Sequence, residues 1–386
     1  AFRQLRTVSG ERGTDTVSSF LGHGLRGGRL VVVCTALITI AFLGSYAAAQ
    51  LVAGSKALSS IFGWDYQLGV IIGAVIVVLY CFSGGIRASI WTDAVQAVVM
   101  MGALVMLLAT ALVVGGGPGA MWAELARIDP TLTALSPGDK PWGIVAFILG
   151  WVAAGFGVIG QPHIAVRAMA IDSPKNVALA RNLKIACGLL NSFAAIGIGL
   201  AARVLLPGLS EQGDIELALP NLSLELLPGV LVGLILAGLF SATISTADSQ
   251  ILSCSAALVQ DTTQRLAGSY RAAKLGTLTV LVIVLVIALS GTDNVFDLVT
   301  FSWSALASSL GPLALIRAWR WPVSTPVALA MIAAGLSVAL VWRVALGLSG
   351  ALYEVLPGMA AGMLVYAVAR AALPRPDGDQ SGTTPA

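Results

Sequence analysis

The chain has 386 residues, of which 57% are hydrophobic and only 11% are charged, and its mean hydropathy is +0.89. Soluble globular domains carry about 25% charged residues, so the composition excludes an ordinary soluble domain and indicates a polytopic membrane protein. The formal net charge of +3 is small and gives no indication of nucleic-acid binding.

Polar segments flank the hydrophobic part of the chain. Residues 1–28 are rich in Arg and Gly, which predicts a cytoplasmic segment, and residues 29–372 are assigned to a transmembrane domain. Residues 373–386 are predicted to form a disordered cytoplasmic tail because they are polar and contain Pro and Gly. Since the chain starts at Ala1 and lacks the apolar core of a signal peptide, we expect it to begin within a longer protein.

Ten apolar runs approach the roughly 20 residues that cross a bilayer. They lie at about 30–53, 68–83, 91–114, 143–162, 184–205, 228–258, 275–290, 295–316, 325–344 and 355–372. The fold is therefore predicted to be all-α, with about ten transmembrane helices. With both chain ends in the cytoplasm, 17 of the 22 Lys and Arg residues face inward, as the positive-inside rule requires.

The junction between the second and third runs carries two glycines and a carboxylate. Gly84 and Gly85 predict a tight turn, after which Thr92 and Asp93 begin the next helix. A carboxylate at a helix N-terminus complements the helix dipole, so the residues by themselves favour a capping role for Asp93. Cation binding at an inner vestibule is the alternative.

The fourth run predicts a broken helix. Gly155, Gly157 and Gly160 match the dinucleotide pattern G-x-G-x-x-G, but they lie within an apolar run, so nucleotide binding is disfavoured. These glycines and Pro162 weaken a helix, and a break at membrane depth either lines a cavity or is reburied in protein. Trp151 could stack over an organic solute or anchor the helix at the membrane interface.

The sixth run places polar side chains inside one long apolar helix. Ser241, Ser245, Asp248 and Ser249 share one helical face, with Ala242, Thr246 and Ser253 beside it. A carboxylate at membrane depth costs about 2.5–3.5 kcal/mol, and hard cations such as Na⁺ take oxygen ligands. We interpret this face as a cation site; the alternative is that its hydroxyls only bond to neighbouring helices.

Four segments, in this order along the chain, resemble the solute:sodium symporter family, and within it the sodium/proline symporters. They are Trp91–Gln96, Gly160–Ile164 with Arg167–Ala170, Ser245–Leu252 and Leu352–Gly358. The resemblance implies an inverted-repeat, broken-helix sodium-symporter fold in which sodium and solute bind near the midplane. It also implies that three helices precede the present N-terminus.

The resemblance further implies which residues bind the ion and the solute. Sodium would be bound by Ala242, Ser245 and Thr246, with contributions from Asp248, Ser249 and Asp93. The solute pocket would contain Trp151, Gly155, Phe156, Val158, Gln161 and Pro162. Ala154 and Val158 stand where proline carriers usually have Trp and Tyr, which weakens the case for proline as the solute.

We therefore expect a multi-pass protein of the inner (plasma) membrane that imports a small organic solute, with proline or a related amino acid as first choice. Na⁺ would be the coupling ion, with no other cofactor, and the partners would be solute, sodium and lipid, without nucleic acid. The alternatives are a non-transporting solute sensor and an inactive fragment with the same fold. An enzyme is disfavoured because the sequence shows no nucleophile–base pair or metal cluster.

Overall fold

The computed structural model describes residues 1–134, 142–209, 214–263, 266, 268–291 and 294–372, so the predicted tail at 373–386 lies outside the described residues. Within these ranges the chain is helical and contains no strand. Nine of the described helices are long and apolar enough to cross a membrane. The all-α membrane fold predicted from the sequence is therefore confirmed.

Fourteen helices build the described part of the chain. In order they are α1 (Phe2–Arg12), α2 (Val17–Gly22), α3 (Arg29–Phe62), α4 (Tyr66–Val114), α5 (Pro118–Ile128), α6 (Gly143–Gly157), α7 (Pro162–Met169), α8 (Val177–Leu205), α9 (Ala218–Leu226), α10 (Gly229–Thr262), α11 (Tyr270–Leu289), α12 (Val295–Ala318), α13 (Thr325–Ala345) and α14 (Val355–Ala372). Within α3 and α10, residues 39–43 and 257–262 form π-helical turns.

Helix α4 differs from the prediction. The second apolar run lies in the shorter segment Tyr66–Phe82, and the helix continues through Gly84 and Gly85 to Val114, so the predicted turn does not end the helix. Asp93 consequently lies inside a helix, and the interpretation of this residue as an N-terminal cap is wrong. Glycine weakens a helix by about 1 kcal/mol relative to alanine, which does not suffice to end one held by tertiary contacts.

The two halves of α4 nevertheless run in different directions. Gly73 of the first half shares a small cavity with Phe240 of α10. Ala103 of the second half lies against Gly238, close enough that a Cβ on this glycine would be 2.8 Å from the Cβ of Ala103. Because residues 30 positions apart contact the same stretch of α10, the axis of α4 must bend sharply between them.

Residues 1–28 are folded against the helix bundle. Leu5 and Val8 of α1 and Phe20 and Leu21 of α2 are buried in the main hydrophobic core, although the surrounding sequence is polar. The guanidinium of Arg6 also donates hydrogen bonds to the carbonyls at the end of the α7 region. The segment therefore packs under one end of the bundle, while its cytoplasmic location stays a prediction.

Helix α12 lies at the centre of the bundle, with 78% of its apolar stretch buried. Small residues let its neighbours approach closely: a Cβ on Gly157 of the broken helix would lie 2.6 Å from the Cβ of Ala307. Membrane helices gain much of their association energy from this kind of close backbone contact. The broken helix is thereby fixed to the most buried element of the fold.

An ion-pair network ties α3 to the start of α12. Lys56 lies 2.5 Å from a carboxylate oxygen of Asp214 and 2.6 Å from one of Glu216, and Glu216 also accepts the backbone N–H of Phe296 at 2.9 Å. Burial raises the pKa of the Asp214 carboxyl, but hydrogen bonds from Lys56 and from the Glu216 backbone outweigh it, so the pKa lies below its ordinary value.

Candidate functional site

The predicted broken helix is present. Helix α6 ends at Gly157, residues 158–160 form one 3₁₀ turn, and Gln161 is extended with φ −89° and ψ 107°. Helix α7 then begins at Pro162, a position that tolerates proline because the first N–H of a helix has no intrahelical partner. The break is therefore encoded locally by Gly157, Gly160 and Pro162.

The break is both packed and polar. A Cβ on Gly160 would lie 2.6 Å from the backbone nitrogen of Gly311, so this glycine allows the 3₁₀ turn to lie on α12. The neighbouring Gln161 is fully buried and donates from Nε2 to the Trp303 carbonyl at 2.9 Å. Its Oε1 is buried and has no hydrogen-bond partner within the described residues. An acceptor is thus left free beside the break.

Two aromatic residues that the sequence analysis did not identify lie next to the break. The ring of Tyr46 meets His163 edge-on at 5.9 Å and Trp303 at 6.5 Å between ring centroids. Both Tyr46 and Trp303 lie in apolar runs without a motif, so only the packing of α3 and α12 against the break reveals them. Aromatic faces of this kind can hold an apolar or cationic solute.

The other predicted solute residues lie elsewhere. Trp151 stacks on Tyr353 with 4.7 Å between the rings, and 42% of its surface is exposed. Gly155 and Phe156 lie on the exposed side of α6, whereas Val158 is half-buried and Pro162 is buried. The structure therefore brings Gln161 and Pro162 together at the break and leaves Trp151, Gly155 and Phe156 on a different face.

The hydroxyl row on α10 has a consistent geometry. The hydroxyls of Ser245 and Thr246 both donate to the Ala242 carbonyl, at 3.2 and 2.9 Å, and Ser249 donates to the Ser245 carbonyl at 3.0 Å. Ser253 repeats the pattern one turn later. These bonds run within α10, so each hydroxyl proton is used and the oxygen lone pairs are left to accept a cation.

The carboxylate of Asp248 turns away from this row. Asp248 is buried and accepts a hydrogen bond from Ser89 of α4 at 3.2 Å. Asp93, one turn after Ser89, forms an ion pair with Arg167 of α7, whose guanidinium also lies 3.4 Å from the Ser89 hydroxyl. With both carboxylates ionised, the cluster of Asp93, Asp248 and Arg167 carries one net negative charge, which suits a neighbouring cation.

Arg167 is a residue whose role the sequence did not indicate. In the sequence, Arg167 stands out only as part of the segment Arg167–Ala170 that carries the family resemblance. Its pairing with Asp93 depends on how α7 packs beside α4. One oxygen of Asp93, Oδ1, is buried without a hydrogen-bond partner in the part of the chain that the structure describes. A buried carboxylate oxygen of this kind is costly unless a ligand or water fills its environment.

The start of α7 and the end of the hydroxyl row that holds Ser249 and Ser253 line one cavity of about 490 Å³. Pro162, His163 and Arg167 line it on one side and Ser249 and Ser253 on the other. Among the described residues, no group of three or more His, Cys, Asp or Glu side chains could hold a transition metal. Hydroxyl and carbonyl oxygens instead fit a hard monovalent cation.

Comparisons with known proteins show what the whole chain is similar to. A family model described as "Sodium:solute symporter family" matches residues 3–335. The high-affinity proline transporter PutP of Bacillus subtilis (strain 168) is 31% identical over 372 residues, which cover 94% of this chain and 77% of that protein. The sodium/proline symporter of Staphylococcus aureus is 31% identical over 356 residues, covering 88% of this chain and 69% of that protein.

A third relative is similar in sequence, and a solved structure is similar in fold. The osmoregulated proline transporter OpuE of Bacillus subtilis (strain 168) is 30% identical over 355 residues, covering 88% of this chain and 71% of that protein. The substrate-bound, outward-open structure of a Na⁺-coupled sialic acid symporter matches with a TM-score of 0.74 over 94% of this chain and 83% of that chain. Its identity to this chain is 18%, so the match shows the fold alone.

Proposed function

The chain belongs to the sodium:solute symporter family, and on that basis we propose that it imports a small organic solute together with Na⁺ across the plasma membrane. The observation that carries the proposal is the row of hydroxyl oxygens on α10, whose members Ser249 and Ser253 line the same cavity as Pro162 and His163 of the broken helix. Oxygen ligands at membrane depth beside an interrupted helix are the arrangement on which ion-coupled carriers depend.

We assign the ion to the row on α10. The carbonyl of Ala242 and the hydroxyls of Ser245 and Thr246 would bind Na⁺, with Ser249 one turn away. Asp248 and Asp93 would contribute negative charge from the adjacent cluster, because their two carboxylates face a single guanidinium. A bound ion would favour the conformation that binds solute, and by linkage the solute would favour ion binding equally.

We place the solute at the break. Gln161 and Pro162 would contact it, with Tyr46 and Trp303 forming an aromatic wall and Val158 beside them. Proline or a related amino acid is the proposed solute, since the three curated relatives are named as proline transporters or symporters. Ala154 and Val158 stand where proline carriers usually have Trp and Tyr, so a related amino acid remains part of the proposal.

The remaining assignments follow from this proposal. Trp151, Gly155 and Phe156 are proposed to line the solute's approach along α6, not the enclosed pocket, because they lie on its exposed side. Residues 29–372 are kept as the transporter domain, with residues 1–28 as an inner segment.

The proposal is tested by measuring radiolabelled proline uptake against external sodium. In Ser245→Ala and Thr246→Ala, the sodium concentration for half-maximal uptake should rise about tenfold or more, which corresponds to the loss of ~1.4 kcal/mol of ion binding. Thr243→Ala is the matched control, because Thr243 lines the separate small cavity shared with Gly73 of α4 and its hydroxyl also bonds within its helix. Protein abundance is measured in parallel.

The outcomes separate the ion from the solute. If both alanine variants keep the sodium dependence of the parent, the assignment of the ion site is wrong. If the chain takes up a different amino acid in a sodium-dependent way but not proline, only the choice of solute is wrong.

A further inference from the structure

The inner end of α10 carries a buried carboxylate that neither proposed binding site uses. Asp261 lies in the π-helical turn 257–262, and only 3% of its surface is exposed. It lines the same cavity as Ser249 and Ser253, at the end nearest residues 15–18. π-Helical turns are frequent at functional sites.

The two oxygens of Asp261 differ in their partners. Oδ1 accepts a hydrogen bond of 2.8 Å from the hydroxyl of Thr16 in the inner segment. Oδ2 is buried and lacks a hydrogen-bond partner among the described residues. An ionised oxygen in this position is costly unless a cation or water occupies the cavity in front of it.

The surroundings can neutralise this carboxylate only in part. Arg29 donates to the backbone carbonyls of Asp261 and Thr262, at 2.5 and 2.6 Å, so its hydrogen bonds hold the turn and do not go to the carboxylate. Arg167, the other guanidinium at the cavity, is paired with Asp93. Asp15 adds a second acidic side chain to the cavity wall. The inner end of the cavity therefore favours a positive charge.

Hydroxyl oxygens complete the environment. Thr16 and Ser18 line the cavity beside Asp261, and Ser253 lines it farther along α10. Along α10, Asp261 lies 12 residues beyond Ser249, which is about 18 Å at the rise of an α-helix. A single ion cannot contact both residues, so any ion at Asp261 occupies a place distinct from the hydroxyl row.

We propose that Asp261, with its free Oδ2 and the surrounding hydroxyls, forms a separate, weak binding site for a monovalent cation at the inner end of the cavity. The inference rests on the proposed function, in which Na⁺ leaves the hydroxyl row toward this side. An ion released from α10 would pause at Asp261 before reaching the cytoplasm. An ammonium group of an amino-acid solute has the same charge, so both cations belong in the test.

The first experiment measures binding without transport. The purified 386-residue chain carrying Ser245→Ala, which disables the proposed central site, is unfolded thermally in sodium chloride, in choline chloride, and in choline chloride with proline. We expect sodium to raise the unfolding temperature more than choline does, and Asp261→Asn to abolish this difference. The amide that this substitution introduces would keep an oxygen for Thr16 and lose only the charge. Stabilisation by proline alone that depends on Asp261 would support the site and assign it to ammonium groups.

The second experiment measures release. In proteoliposomes with Ser245 intact, the internal sodium concentration that halves uptake should rise about tenfold in Asp261→Asn, as loss of one charge-assisted contact predicts, while the external sodium dependence is unchanged. Glu11→Gln is the matched control, because it also removes one negative charge, but from an exposed residue of the inner segment that is paired with Arg320 outside the cavity, and it should behave like the parent.

The inference is overturned if Asp261→Asn responds to sodium like its parent in the unfolding experiment, or if Glu11→Gln loses the response equally, since the effect would then come from the overall charge at this end of the bundle and not from a site at Asp261. Absence of sodium-driven uptake in the parent would refute the proposed function instead. The unfolding experiment decides the presence of the cation site in either case.

Discussion

Replacing Gly160 with alanine should damage the broken helix, whereas the same change at Gly155 should not. A Cβ on Gly160 would lie 2.6 Å from the backbone nitrogen of Gly311 and 2.9 Å from the carbonyl oxygen of Leu306. Both atoms belong to the backbone of α12, so neither can move aside as a side chain would. At Gly155, no atom lies within 4 Å of the added methyl group.

The magnitude follows from these distances. Contacts of this kind force the 3₁₀ turn and α12 apart by several tenths of an ångström, and overpacking of a dense interior costs about 1–3 kcal/mol. In Gly155→Ala, the helix gains up to about 1 kcal/mol from the better propensity of alanine. The two variants should therefore differ by about 1–4 kcal/mol in unfolding free energy, which is several degrees in unfolding temperature.

Buried cysteines provide the assay. Cys254 is fully buried and Cys81 is 8% exposed, so once the partly exposed Cys34 and Cys187 are replaced by serine, a thiol-reactive fluorophore reports when the bundle opens on heating. Gly160→Ala should react at lower temperature than the parent and should also lose uptake, because the break beside Gln161 is displaced. Equal unfolding temperatures for the two variants would refute the argument that Gly160 is required for close packing against α12.

Three further predictions concern the ends of the helices. Ser269 and Ser290 are both exposed and flank α11, so cysteines at these positions should lie on opposite sides of the membrane. An impermeant thiol reagent should label Ser290→Cys in intact cells and Ser269→Cys only after permeabilisation. Equal labelling of the two variants in intact cells would contradict the predicted orientation. Glu354 is fully buried and lies 2.8 Å from the guanidinium of Arg343, so Glu354→Gln should lower the unfolding free energy by about 1–3 kcal/mol. Asp297 is mostly exposed and lies 3.6 Å from the same guanidinium, so Asp297→Asn should change the unfolding free energy by under about 0.5 kcal/mol. Similar losses for both variants in thermal unfolding would show that burial does not decide the effect. Because the folded-state pKa of Asp214 is lowered, its contribution to stability is present above about pH 4 and is lost as the pH falls through the folded value. Asp214→Asn should therefore lose less stability than the parent on acidification below that pH, and identical acid profiles would refute this contribution.

The sequence by itself determined the class of fold and the break. Composition alone requires membrane helices, because backbone polar groups in lipid must be satisfied within a helix. Gly157, Gly160 and Pro162 also place the interruption correctly, since proline lacks an N–H and accepts the first position of a helix. The hydroxyl spacing on α10 likewise follows from helical periodicity, and the structure adds only the direction of each proton.

Tertiary packing decided which polar groups meet. The sequence placed Asp93 at a helix start and Asp248 in the hydroxyl row, but the bend of α4 brings Ser89 to Asp248 and the packing of α7 brings Arg167 to Asp93.

The contacts of the aromatic wall and of the inner segment likewise depend on tertiary packing and could not be predicted from the sequence. Tyr46 and Trp303 lie far apart in sequence, and each looks like an ordinary apolar-run residue until α3 and α12 pack beside the break. Residues 1–28 look like a polar loop, yet the core buries Phe20 and Leu21. A charged or polar group buried in a membrane needs a partner, and the sequence shows that such groups are present. The choice of partner depends on how helices far apart in the chain cross, and local propensity carries no information about that crossing.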